Sequence, residues 1–132
     1  MQYQSTLDRN GLTELALERY FASVDRKDLA ATLDCFHDTA LFTVQTAFTV
    51  HEGRAGIQRM FEDFFTSYDV IIHRDFTVTV DAANGRIAAS FVAELHAPDG
   101  EITLLNNTNF WRVRGERFQE VYVYMSGANP LV

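Results

Sequence analysis

Hydrophobic periodicity changes once along the chain, near residue 70, and that single change restricts the fold more than any other feature. Before it, apolar residues recur at helical spacing. Leu12, Leu15, Ala16, Tyr20 and Val24, flanked by Leu17 and Phe21, trace a helix from Leu12 to Val24 that Asn10 or Thr13 can cap. Asp28 can cap a second, short helix carrying Leu29, Leu33 and Phe36, and residues Ala40 to Val44 read as a strand. A third helix begins near Gly53, with Ile57, Met60, Phe61, Phe64, Phe65 and Tyr68 on a broad apolar face. After residue 70 the period is two. Phe76, Val78 and Val80 alternate with Thr77 and Thr79, Asn84-Gly85 supplies a tight turn, and Ile87, Ala89, Phe91, Ala93 and Leu95 alternate with polar partners. Pro98-Asp99-Gly100 and Arg114-Gly115-Glu116 then separate strands over Ile102–Val113 and Phe118–Met125. Three helices followed by an antiparallel meander, in the order α-α-β-α-β-β-β-β, predict an α+β fold with the helices on one face of a curved sheet.

At 132 residues the chain predicts a single domain spanning residues 1–132, with residues 1–10 as a flexible lead. Eleven Phe, five Tyr and one Trp are material for an aromatic interior. A net charge of −7 repels a phosphate backbone, so no nucleic-acid partner is expected. The one cysteine, Cys35, excludes an internal disulfide and fits a reducing, cytoplasmic setting. No stretch has the length and apolarity of a membrane span or a leader, so no membrane association is expected.

Three stretches carry a resemblance. They are Arg19-Tyr20-Phe21 with Asp28-Leu29 and Phe36-His37-Asp38; Gly53-Arg54-Ala55-Gly56-Ile57; and Phe110-Trp111-Arg112-Val113-Arg114-Gly115-Glu116-Arg117-Phe118. In order and spacing they resemble the nuclear transport factor 2-like superfamily, which includes ketosteroid isomerases and SnoaL-like polyketide cyclases. The resemblance implies a cone-shaped sheet curled around a deep pocket, with the three helices on its concave face. It also implies three functional places: a tyrosine on the first helix, a carboxylate base at the end of the first strand, and an acid on the penultimate strand. Tyr20 matches the tyrosine. The base position holds Val44, with Thr43 and Gln45 beside it, and the acid position holds Asn109, which argues against ketosteroid isomerase chemistry.

Each candidate residue has a functional and a structural reading. Asn106, Asn107 and Asn109 interrupt an apolar strand, where a buried amide needs partners that a ligand or an internal network could supply; Asn106, of opposite parity, reads as structural. His51, between the first strand and the third helix, is placed to move a proton at a pocket mouth or to face solvent as a loop histidine. Tyr20 can polarise an oxygen or serve as a core aromatic. His37-Asp38 reads most simply as a turn or cap, and His73 with Asp75, sharing a face with Thr77 and Thr79, as a solvated polar face. His96 with Glu94 and His73 lacks ligand spacing, so no metal is expected, and Cys35 reads as a small buried apolar residue.

Two functions fit. One is a cofactor-independent isomerase, cyclase or dehydratase that moves a proton on a small apolar carbonyl, polyketide-like or aromatic compound. It would use Tyr20, His51 and Asn109, with Gln45, Phe61, Phe64, Phe65, Trp111, Val123 and Met125 lining the pocket. The other is a binding or dimerisation module without turnover. In either case strand parity turns Phe110, Tyr122 and Tyr124 outward, which predicts a homodimer through the outer sheet face.

Overall fold

The computed structural model describes residues 4–132. The first helix, α1, runs over residues 9–25 as an α-helical turn (Arg9–Glu14), a π-helical stretch (Leu15–Phe21) and a final α-turn (Ala22–Asp25). Its cap is neither Asn10 nor Thr13 but Asp8, whose carboxylate accepts from the Gly11 amide at 2.8 Å. Residues 4–8 are pinned rather than free: Gly115 donates to the Gln4 carbonyl and accepts from the Thr6 amide. Asp28 does cap α2 (Leu29–Asp34), accepting from the Ala31 amide at 3.1 Å.

Six strands form one sheet: β1 (Phe36–Val44), β2 (Thr49–Glu52), β3 (Val70–Asp81), β4 (Arg86–His96), β5 (Ile102–Arg114) and β6 (Arg117–Tyr124). Their spatial order is β2-β1-β6-β5-β4-β3. The α+β class and the curved sheet under helices are as expected, with two departures. The short strand β2 adds a hairpin before the third helix, and β1 pairs with β6 in parallel, so the sheet is not wholly antiparallel. The loop from β3 to β4 is also longer than a two-residue turn, closing from Asp81 to Arg86 with Gly85 in the left-handed region. His37 and Asp38, expected at a turn, lie inside β1, where His37 contacts the Arg114 carbonyl and Asp38 pairs with Arg54.

The long helix α3 (Gly53–Ser67) closes over the sheet. Gly53 has φ +68°, and a Cβ there would sit 3.3 Å from the Asp38 carbonyl oxygen, so the turn into α3 favours glycine. Arg54 next to it donates to the Phe36 carbonyl at 2.5 Å and pairs with Asp38 at 2.9 Å, fastening the helix start to β1. Ile57, Met60, Phe61 and Phe64 then face inward. Burial alternates strictly along the central strands: Ile87, Ala89, Phe91, Ala93 and Leu95 on β4, and Asn107, Asn109, Trp111 and Val113 on β5, point to the helices. Fully burying a large apolar side chain contributes about 1.5–3 kcal/mol, so this aromatic interior is the main term holding helices to sheet.

Candidate functional site

Between α1, α3 and the inner faces of β3–β6 lies a cavity lined by Tyr20, Phe21, Phe61, His73, Asn107 and Asn109, among other residues. Two irregularities of the backbone bring these side chains together. The π-helical stretch of α1 sets the adjacent residues Tyr20 and Phe21 both inward, 3% and 2% exposed. On β3 a bulge between Arg74 and Thr77, with Asp75 at φ +59°, reverses the parity of the strand. Phe76, Val78 and Val80 face inward after the bulge, whereas before it Ile71 and His73 do. His73 is therefore not on a polar face with Asp75 and Thr77.

His73 instead meets Asp25, the last residue of α1. Asp25 accepts from the His73 main-chain amide at 2.9 Å and from ring Nδ1 at 2.5 Å. A carboxylate partner fixes the hydrogen on Nδ1, and no described residue hydrogen-bonds Nε2. The His73 side chain is 9% exposed, and its ring packs 4.5 Å from Phe21 and 5.4 Å from Phe91, between centroids. Tyr20 packs edge-on to Phe36, Phe61, Trp111 and Phe118. Burial, with smaller contributions from Cys35 and Asp25, drives its phenol far above the ordinary range, so it stays a neutral O–H donor. Asn109 stands between Ala89 and Val123 across the ladder, and Asn107 opposite Phe91.

His51 is not part of the cavity wall, and neither is it a solvent-facing loop residue. It is 3% exposed; Nε2 donates to the Leu131 carbonyl at 3.0 Å and Nδ1 accepts from Arg59 at 3.3 Å. Both nitrogens are thus engaged, Nδ1 by α3 and Nε2 by the final described segment, which crosses the cavity and places Pro130 and Leu131 in its wall. Ser126 accepts from the Asn106 amide, Gly127 passes so close that a Cβ would lie 2.8 Å from Leu105, and Asn129 both donates to and accepts from Leu131. With that segment seated, the space open to the centre of a water molecule is only about 30 Å³. That is room for about two waters.

Of the other sequence candidates, Phe61, Phe64, Val123 and Met125 line the cavity. Trp111 is buried behind it, stacked on Phe118, and Phe65 packs on Phe61 and Phe64 from outside. Gln45 lies on the outer sheet face with Phe110, Tyr122 and Tyr124, away from the cavity. His96 pairs with Glu94 at 2.7 Å, and with Arg74 they form a half-buried network that lowers the Glu94 pKa, chiefly through the His96 hydrogen bond. Among the described residues no group of three or more His, Cys, Asp or Glu side chains is placed to hold a metal ion, and no helix is long and apolar enough to cross a membrane. Sequence reading missed Asp25, discounted His73, and flagged Asn107 as a strand amide in need of a partner without placing it in the site.

The SnoaL-like domain family matches residues 17–121 of the chain. No curated protein matches it. Among solved structures, a proposed aromatic ring hydroxylase from Novosphingobium aromaticivorans is 25% identical with a TM-score of 0.79, covering 92% of this chain and 90% of that one. A proposed polyketide cyclase from Xanthomonas campestris pv. campestris is 22% identical with a TM-score of 0.78, covering 88% and 90%. An epoxide hydrolase/cyclase-like enzyme with a role in pyran ring formation in the polyether salinomycin is 20% identical with a TM-score of 0.77, covering 90% and 93%. At these identities the likeness is one of fold.

Proposed function

The chain belongs to the SnoaL-like domain family, and from that premise we propose that its cavity performs cofactor-independent proton transfer on a small, largely apolar carbonyl, polyketide-like or aromatic compound. One observation carries the proposal: a buried histidine whose Nδ1 is held by a carboxylate and whose Nε2 is unengaged lines a cavity that also holds Tyr20 and Asn109. Nε2 takes a proton from carbon next to a carbonyl; the C–H electron pair forms the enolate C=C bond and the carbonyl π pair moves to the oxygen. The Tyr20 hydroxyl and the Asn109 amide donate to that oxygen. Asp25 stabilises the imidazolium, which returns the proton to another carbon in an isomerisation or to a leaving hydroxyl in a dehydration. In a cyclisation the enolate carbon attacks a second carbonyl of the same molecule, whose π pair moves to its own oxygen, and the imidazolium returns the proton to that alkoxide. The base position at the end of β1, occupied by buried Val44, is replaced in function by His73 on β3. His51 is given no chemical step, because both its nitrogens are engaged. Residues 1–132 act as one domain, in the reducing cytoplasm that the single cysteine suits.

The test is hydrogen–deuterium exchange at the carbon beside the carbonyl of 2-tetralone in heavy water, followed by NMR. The protein accelerates exchange and His73→Gln removes the acceleration. Equal rates with and without the protein would instead support a binding module, which the valine at the base position favours.

Aromatic side chains on the outer sheet face support a homodimer through it. Phe110 and Tyr124 are 46% and 43% exposed there and pack edge-on at 5.8 Å. Sedimentation of a dimer that Tyr122→Glu with Tyr124→Glu dissociates would bear this out, and a monomer at micromolar concentration would refute it.

A further inference from the structure

Asn107 and Asn109 are 5% and 3% exposed, lie two residues apart on the inward face of β5, and both line the cavity. Their Oδ1 atoms are buried and accept no hydrogen bond from any described residue. Leaving a buried acceptor without a donor costs stability, and native chains rarely do so once, let alone twice on adjacent positions of one wall. Proton transfer at a single carbonyl calls on the donor side of one amide only. Two acceptors on residues whose Cα atoms lie about 6.6 Å apart along the strand demand something more, since the rise is about 3.3 Å per residue. Such a spacing suits two oxygen functions carried on one ring. Across the ladder, Phe91 stands opposite Asn107 and the small Ala89 opposite Asn109.

We propose that Asn107 and Asn109 together read a ring-sized ligand bearing two oxygen functions, at least one of them a hydroxyl that donates to an amide oxygen. The substrate class is thus a hydroxylated aromatic or an enolised cyclic dicarbonyl rather than a plain ketone. It rests on the cavity being the reaction site, and it adds a donor requirement that proton transfer does not need. Ethers and unenolised ketones satisfy the amide N–H groups but leave both oxygens without a partner. Hydroxyls satisfy both edges.

Calorimetric titration with 1,3-dihydroxybenzene and with 1,3-dimethoxybenzene tests it, since the two share ring and oxygen spacing and differ in donors. The wild-type chain binds the diol about tenfold or more tightly than the diether. Asn107→Leu and Asn109→Leu each lower diol affinity by about tenfold and lower diether affinity less, so the preference for the diol shrinks. His73→Gln keeps the preference for the diol. Equal affinity for the two probes in the wild type, absence of diol binding, or a preference that survives both leucine variants would overturn the proposal. The wild-type comparison decides even where a leucine variant fails to fold. Failure of the proton-transfer mechanism shows separately, as deuterium exchange on 2-tetralone that His73→Gln does not change while the diol preference stands.

Discussion

The molecule buries His51 fully and His73 in large part, and uses the two in opposite ways. At the corner where α1 meets β3, His73 gives one nitrogen to Asp25 and keeps the other unengaged on a cavity wall. Where β2 meets α3, His51 gives one nitrogen to the Leu131 carbonyl and the other to Arg59, and has nothing left to offer a ligand. Residue type is the same and both rings are largely enclosed, so neither property identifies a working histidine; enclosure alone would favour His51. What separates them is the count of ring nitrogens already spoken for.

The largest expected effect breaks the comparison directly. His73→Gln lowers deuterium exchange by about 10²–10⁴-fold, the usual share of general base catalysis, while His51→Gln leaves the rate per folded molecule within a few-fold. The reverse outcome would exchange the two roles. Asp25→Asn sharpens it next: the variant no longer fixes the hydrogen on Nδ1, so activity falls, and loss of charge-assisted bonds lowers stability by about 1.5–3 kcal/mol in a denaturant titration. On the other side, His51→Phe leaves the Leu131 carbonyl with Asn129 as its remaining donor. It costs about 1–3 kcal/mol, read as faster amide exchange at Leu131 with the His73 corner unchanged. The smallest effect concerns the dry interior behind Tyr20. Burial pushes the Cys35 thiol up from 9.0 to about 11. Its folded pKa is raised, so the stability it contributes is fully present below pH 9 and is lost as pH rises through about 11. Iodoacetamide labelling of the native chain at pH 8 is accordingly much slower than of the unfolded chain.

How much of this was written in the residues differs between the two corners. The strand parities of β4, β5 and β6 follow from alternation alone, because a half-buried antiparallel strand must hide every second side chain. Asn109 was legible for that reason, as an amide where an apolar residue belongs. His73 was not, because alternation was extended through Asp75 as if the strand were regular. A trace of the bulge exists: Ile71 and Phe76 are both apolar but of opposite parity, and Asp tolerates the left-handed backbone found at residue 75. Asp25 gave no signal, since its partner lies 48 residues away. His51 was misplaced in both of its readings, because what buries it is the segment around Leu131, which has no periodicity to reveal that it folds back. The parallel pairing of β1 with β6 was hidden likewise, being a contact between chain ends that no local pattern records.

The segment from Ser126 to Leu131 has a kinetic consequence. A chamber with room for about two waters cannot accept a ring by collision, so entry waits for the bonds that fasten the segment, His51 to Leu131 and Asn106 to Ser126, to open. Association then runs at the frequency of that opening, and ligands of different size share one ceiling on their on-rate. Their affinities separate in residence time instead, since a bound ring leaves only when the same bonds break again.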